Sequence, residues 1–264
     1  MDAPDRSVPL LKAPVGGPAE RFAGALRGKH PAAIFFAALV SGYVLLALLA
    51  IGLGLLITDV LLDMAEVRHD DAEFVDTLVA ERTPFLTDAS EVGSTLGGAP
   101  LLPILVGLIA IVCAFLRQWL IAGFAVFVLA IESATYRVTS WLVPRERPDV
   151  HRLEDLPPDA SFPSGHTAAA IAVYVGLVLL ITSRFRSWGV RIAAWGIAVA
   201  IPVFVALARI YRGMHHPLDA AGGLVIGIGA LIVIVFACRA AGVAAEGHSK
   251  VAHPTRRRRP QPAS

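Results

Sequence analysis

Charge is scarce in this chain: Asp, Glu, Lys and Arg make up 17% of its 264 residues. Hydrophobic residues make up 56%, and the mean hydropathy is +0.66. That balance is too apolar for an ordinary soluble domain. Cysteine is scarcer still. Cys113 and Cys238 sit in or beside apolar runs without metal-ligand spacing, so they read as small buried hydrophobes, not as a disulfide or a zinc site. The net charge of +2 is small and points to no nucleic-acid partner. The basic block at 256–259, beside apolar runs of this length, marks a cytoplasmic flank. No convincing small-residue cleavage site accompanies the first apolar run, 32–57, which reads as a retained membrane anchor.

What is abundant is apolar sequence in long blocks. A bilayer-crossing helix needs roughly 20 such residues. Blocks at 32–57, 99–116, 119–140, 166–183, 190–209 and 217–238 approach or exceed that length. The expected fold is all-α: a six-transmembrane-helix bundle over 31–240, with a loosely ordered N-terminal arm (1–30) and a basic tail (241–264). The last spans are rich in Gly and Ala, which let helices approach closely. Pro202 is expected to kink the fifth span. Trp119, Trp141 and Trp188 fall near span ends, as interfacial belts do.

Six spans put both termini on one side. Fifteen of the 23 Lys and Arg residues fall on that side, so the termini are expected in the cytoplasm of a multi-pass cell-membrane protein. The loop 58–98 is then external, with ten acids against Arg68 and Arg82. Within it, Phe74 and Leu78, and Val75 and Val79, are four apart, a helical stripe. Asp70 and Asp71 suit that helix's N-terminus by dipole sign, and Pro84 is expected to end it. It reads as an amphipathic helical loop lying on the outer face.

Six more external arginines are not spread out. Four fall at 137–152, and Arg209 and Arg212 form the other group. Three stretches reach this face: "VPRERPDV" (143–150), "SFPSGHT" (161–167) and "ARIYRGMHHPLD" (208–219). Arg147 and Arg209 supply forked, permanently charged donors that match phosphate oxygens. Ser164 is placed to cap the fourth span, which leaves the Gly165 and His166 amides in its first turn, free for an anion. His215 and Asp219 are four apart across the start of the sixth span, with Pro217 suited to its first turn. A carboxylate on one imidazole nitrogen frees the other to attack. His166 is placed to protonate a leaving oxygen and then activate water.

These residues resemble the type-2 phosphatidic acid phosphatase superfamily, which includes membrane lipid phosphatases and soluble vanadium haloperoxidases. The Pro-Ser-Gly-His part of its signature is intact as Pro163, Ser164, Gly165 and His166. The third part matches at Arg209, His215 and Asp219, with Ala208 in place of Ser. The first matches at Arg147 and Pro148, with Ser140 where the family has Lys. The resemblance implies a nucleophilic His215 that forms a phospho-histidine, oriented by Asp219. His166 would be the acid and base. Arg147, Arg209, Ser164 and Gly165 would hold the phosphate, with no cofactor or metal. Arg145 or Arg137 is left to replace the missing Lys charge, and Arg145 is favoured because it stands two residues before Arg147.

The expected activity is hydrolysis of a phosphomonoester or diphosphate on a membrane lipid, at the external face. An isoprenyl diphosphate, phosphatidylglycerol phosphate and phosphatidic acid all fit, the first best for an outward-facing bacterial enzyme. Three alternatives stay open. They are a phosphotransferase using the same intermediate, a non-catalytic lipid-binding or transport protein, and a metal site of His166, His215, His216 and Asp219. Glu132, inside the third span, reads equally as functional or as the partner of Arg137. Arg212 reads equally as a phosphate ligand or an interfacial anchor. The sequence leaves the oligomeric state open.

Overall fold

The computed structural model describes residues 8–184 and 187–252, with side chains given only as far as residue 248 at the C-terminal end. The basic block at 256–259 lies outside these residues. The described chain is helical, and its one β contact is an isolated bridge between Arg145 and Ala160. The helices are α1 (Pro18–Ala25), α2 (Pro31–Leu56), α3 (Ala65–Ala80), α4 (Pro84–Gly97) and α5 (Leu101–Phe115). They continue as α6 (Trp119–Leu142), α7 (Gly165–Ala170), α8 (Gly176–Thr182), α9 (Trp188–Tyr211) and α10 (Pro217–Ala252). A π-turn, Ile171–Val175, joins α7 to α8 as one span, and another, Ile57–Leu61, extends α2.

Five of these units are long and apolar enough to cross a membrane: Pro31–Leu61, Trp119–Leu142, Gly165–Thr182, Trp188–Tyr211 and Pro217–His248. A sixth exists only if α4 and α5, bent by 41° at a short break, count together. The expected second span is therefore shorter than a crossing by itself: α5 has 15 residues, about 22 Å of helix against a hydrocarbon layer of about 30 Å. Large apolar side chains such as Leu45, Leu48, Ile111, Val199 and Ile232 face outward, as lipid-facing positions do.

α10 runs down the centre, packed on α2, α6 and α7. Two glycines set its distance from α7. A Cβ at Gly223 would lie 2.5 Å from the Ser164 carbonyl oxygen, and one at Gly227 would lie 2.7 Å from that of Ala168. With hydrogen in those places the two backbones touch, as small residues four apart allow. α9 passes through Pro202 as one continuous helix.

From residue 8 onward the N-terminal arm is more ordered than expected. Leu11, Ala19 and Ala23 are buried with Ile234 and Ala237 of α10. The Phe22 and Phe236 rings meet edge to face at 5.5 Å, and Arg239 Nε donates to the Leu10 carbonyl at 2.9 Å. α10 also runs on past the expected span end near 238, to Ala252, and gives the arm this surface.

The segment 58–98 is two helices, not one. Pro84 does not close the first but opens the second: it occupies the first turn of α4, which Thr83 caps by accepting from the Leu86 amide at 3.2 Å. Between them Arg82 donates to the Tyr211 carbonyl at 2.8 Å and to the His151 carbonyl at 2.7 Å. The pair is thereby fastened to the end of α9. Of the expected stripe, Val75 is buried, whereas Phe74 is exposed. Asp71, expected near the helix start, lies in the second turn and faces inward.

Candidate active site

The three motif stretches meet at the end of the bundle where α6 and α9 finish and α7 and α10 begin. His166, His215, Arg147, Arg209 and Gly165 line one cavity of about 200 Å³. Gly97, Ala99, Glu132, Ser133, Tyr136, Arg137, Leu156 and Ala169 complete its wall. His166 stands in the first turn of α7, with its ring against α4: a Cβ on Gly98 would lie 2.9 Å from Nε2.

His215 occupies the tight link between α9 and α10. Its Nδ1 meets the Ser161 carbonyl at 2.8 Å, which makes Nδ1 the protonated nitrogen and leaves Nε2 for the cavity. Burial pushes its pKa down to about 4, the largest influence; the Asp219 carboxylate works against that and Arg209 adds to it. The ring is thus neutral near pH 7, as attack requires. Asp219 Oδ2 lies 3.7 Å from the same nitrogen, within ion-pair reach but too far for a hydrogen bond. That oxygen instead accepts from the Ser161 hydroxyl at 2.6 Å and the His216 amide at 2.8 Å. Ser161 adds a second link between the two, offering its hydroxyl to Asp219 and its carbonyl to His215. The four-residue spacing does bring the two side chains within ion-pair reach, although His215 precedes the first turn of α10.

The two arginines of the cavity differ. Arg147 spends donors on the Pro157 carbonyl at 2.8 Å, the Ala160 carbonyl at 2.7 Å and the Met214 carbonyl, which bind the loop 143–164 to the α9–α10 link. Burial and the charge of Arg209 both push its pKa below the ordinary value. Arg209 is 1% exposed. Its Nη1 donates to Ser94 at 2.6 Å and to both Glu154 oxygens at 2.7 Å, while Nε and Nη2 are buried and make no hydrogen bond.

Glu154 also accepts from Arg212 Nε at 2.7 Å. Half-burial works to raise its pKa, but Arg209, Arg212 and Ser94 outweigh it and pull it down to about 2. Arg212 is buried and also donates to Ser90, so it is neither an interfacial anchor nor a member of the cavity wall.

Two expected phosphate contacts, Arg145 and Ser164, lie differently. Arg145 turns away from the cavity: it is buried and ion-paired to Asp71 and Asp219. With two carboxylates in reach, its charge is neutralised inside the protein. Ser164 sits at the N-cap position of α7, but its hydroxyl pairs with Thr167 Oγ1 at 2.9 Å and not with a backbone amide. Gly165 does line the cavity, against the Tyr136 ring. His216 lies outside it, its Nδ1 3.5 Å from Asp71.

Glu132 takes a hydrogen bond from Ser133 at 3.0 Å, and no ion pair joins it to Arg137. Among the described residues no three His, Cys, Asp or Glu side chains gather as metal ligands would. His166, His215, His216 and Asp219 therefore do not form the alternative centre weighed above. Asp71, Glu154 and Ser161 were missed from the sequence. Asp71 carried the one available signal, its place four residues before Val75 on the buried face.

Residues 119–241 match the family model described as the PAP2 superfamily. The match covers just under half of the chain. The matched stretch contains every motif residue named above. The chain is 34% identical over 123 residues to a decaprenylphosphoryl-5-phosphoribose phosphatase of Mycobacterium tuberculosis, covering 44% of this chain and 60% of the relative. It is 35% identical over 107 residues to an undecaprenyl-diphosphatase of Sulfolobus acidocaldarius, covering 38% and 46%. The chain thus spans under two thirds of these relatives' lengths. A likeness of fold extends beyond the matched stretch. The structure of a transmembrane PAP2-type phosphatidylglycerolphosphate phosphatase from Bacillus subtilis superposes with a TM-score of 0.60. It covers 87% of this chain and 98% of that one at 22% identity, a likeness of fold.

Proposed function

We propose that the protein is a multi-pass membrane phosphatase that releases phosphate from a lipid phosphomonoester or diphosphate through a phospho-histidine. The observation that carries this is the pair of unbonded N–H groups on buried Arg209, in the wall shared with His166, His215 and Arg147. A buried guanidinium with donors unmet is a site made for an anion. His215 Nε2 attacks phosphorus, the bond to the leaving oxygen breaks, and that oxygen takes a proton from His166. Water then attacks phosphorus, giving its proton to His166; the phosphorus–nitrogen bond breaks, its electron pair returns to His215 Nε2, and inorganic phosphate departs.

With Arg145 occupied, the charge that Ser140 does not supply falls to Arg137. It lines the cavity, is exposed, and makes no hydrogen bond or ion pair among the described residues. An isoprenyl diphosphate is the favoured substrate, in keeping with relatives that act on polyprenyl phosphates. The excess of Lys and Arg near the chain termini supports cytoplasmic ends and an external site.

Phosphate release by the purified protein, from a panel of lipid phosphates with chelator present, tests the reading. His215→Ala is expected to abolish turnover, and His166→Ala to lower kcat about 10²- to 10⁴-fold, while both variants still insert. Wild-type turnover in either would overturn the mechanism. Label passing from substrate to a second lipid would make the protein a transferase. Binding without turnover across the panel would make it a carrier.

A further inference from the structure

A buried polar chain leads away from His215, and the reaction above leaves its far members, Asp71 and Arg145, without a role. Its far end lies on α3, outside the matched stretch. Asp71 is 5% exposed, in a helix most of whose polar side chains face outward. Its Oδ1 accepts from the Leu218 amide at 2.9 Å, in the first turn of α10, where no intrahelical acceptor exists. Its Oδ2 pairs with Arg145. The same guanidinium pairs, through its other terminal nitrogen, with Asp219, which is fully buried. Asp219 holds the Ser161 hydroxyl, and the Ser161 carbonyl holds His215 Nδ1.

The order Asp71–Arg145–Asp219–Ser161–His215 is therefore continuous, and every link is buried. It has an electrostatic consequence. Asp219 alone beside Arg145 would make one neutral pair. A second carboxylate on the same guanidinium leaves the trio with net negative charge, linked to His215 through Ser161. Attack by Nε2 turns the imidazole into a cation, and negative charge near it stabilises that state more than the neutral ring. Asp71 also fixes where α10 begins, and so where Asp219 stands relative to Ser161.

We infer that Asp71 is a positioning residue for the nucleophile, acting through Arg145 and Asp219, so that the helical segment between the first two apolar runs completes the active site. This rests on the phosphatase reading above. Asp71 makes no contact with the cavity, so its influence belongs in kcat and not in substrate affinity.

The test is steady-state kinetics of the full-length protein in detergent, on whichever lipid phosphate of the panel turns over fastest. Asp71→Asn keeps an oxygen for the Leu218 amide and removes only the charge. It is expected to lower kcat tenfold or more with KM within twofold, at unchanged helicity and melting temperature. Arg145→Gln breaks the same chain one link nearer the site and is expected to lower kcat similarly. The double variant should then be within about twofold of the slower single one, because both changes cut one path. A kcat for Asp71→Asn within twofold of wild type would overturn the inference. So would a loss that only tracks the folded fraction, a rise in KM at constant kcat, or fully multiplicative losses in the double variant. Should Asp71→Asn fail to insert, Arg145→Gln with wild-type kcat would overturn it equally. If the wild-type protein turns over no lipid phosphate, it is the phosphatase reading that fails; an active wild type with an equally active Asp71→Asn sinks this inference alone.

Discussion

Glu154 shows how one side chain can serve a site it does not enter. By taking Arg209 Nη1 with both oxygens and Arg212 with one of them, it sets the Arg209 plane so that Nε and Nη2 are left for the cavity. A hydrogen bond to a charged group contributes about 1.5–3 kcal/mol, so Glu154→Gln is expected to lower kcat/KM tenfold or more, seen chiefly as raised KM. The carboxyl also links stability to pH. Its pKa in the folded protein, about 2, lies below its unfolded value. The stabilisation is therefore complete above the unfolded pKa and is lost as pH falls through about 2. Thermal melts of wild type and Glu154→Gln between pH 5 and 2 should converge as the pH drops. Arg137 gives a contrasting prediction. As an exposed donor at the cavity wall, its removal in Arg137→Ala should raise KM about tenfold, about 1.4 kcal/mol, and leave kcat near wild type.

At the scale of elements, the active site depends on how closely α7 and α10 approach. Ser164 donates its amide to the Asp219 carbonyl at 2.9 Å, directly tying the two motif segments. The Gly223 contact with the Ser164 carbonyl lies one turn further along the same interface. Gly223→Ala places a methyl group against backbone, which no rotamer change can relieve. Overpacking of this kind costs about 1–3 kcal/mol, and the separation of Ser161 from Asp219 should widen with it. The expected outcome is a lower melting temperature together with reduced kcat. Gly52, with nothing near its Cβ position, is the control: Gly52→Ala should change neither. The motif helices could be read from sequence because their signals are local, namely apolar runs of span length and Pro217 in a first turn. The division of 58–98 into two helices was misread because proline ends or begins a helix with the same residue. Only the Thr83 cap and the Arg82 bonds show which.

Across the whole molecule, the N-terminal arm and the catalytic cavity lie at opposite ends of α10. From Asp219 to Arg239, whose guanidinium holds Leu10, the helix rises about 30 Å, roughly the hydrocarbon thickness of a bilayer. The arm and the site are therefore expected on opposite membrane faces. In protein freed of its own thiols by Cys113→Ser and Cys238→Ser, a thiol from Asp155→Cys should react with an impermeant maleimide on intact cells. One from Val15→Cys should react only after lysis; the reverse pattern would invert the proposed topology. Both positions are exposed in the folded chain.

Residue chemistry along the sequence determined the helical class, the apolar spans and the histidines and arginines of the cavity, because hydropathy, helix-start preferences and motif spacing act over a few residues. Tertiary structure alone decided the partners. Arg145 and Arg147 are two apart, yet one is neutralised by Asp71 and Asp219 and the other lines the cavity. Asp71 is one of ten acids in its segment, and its role appears only where α3 meets the start of α10. A buried charge must find its counter-charge wherever packing brings one, and that distance is measured through space, not along the chain.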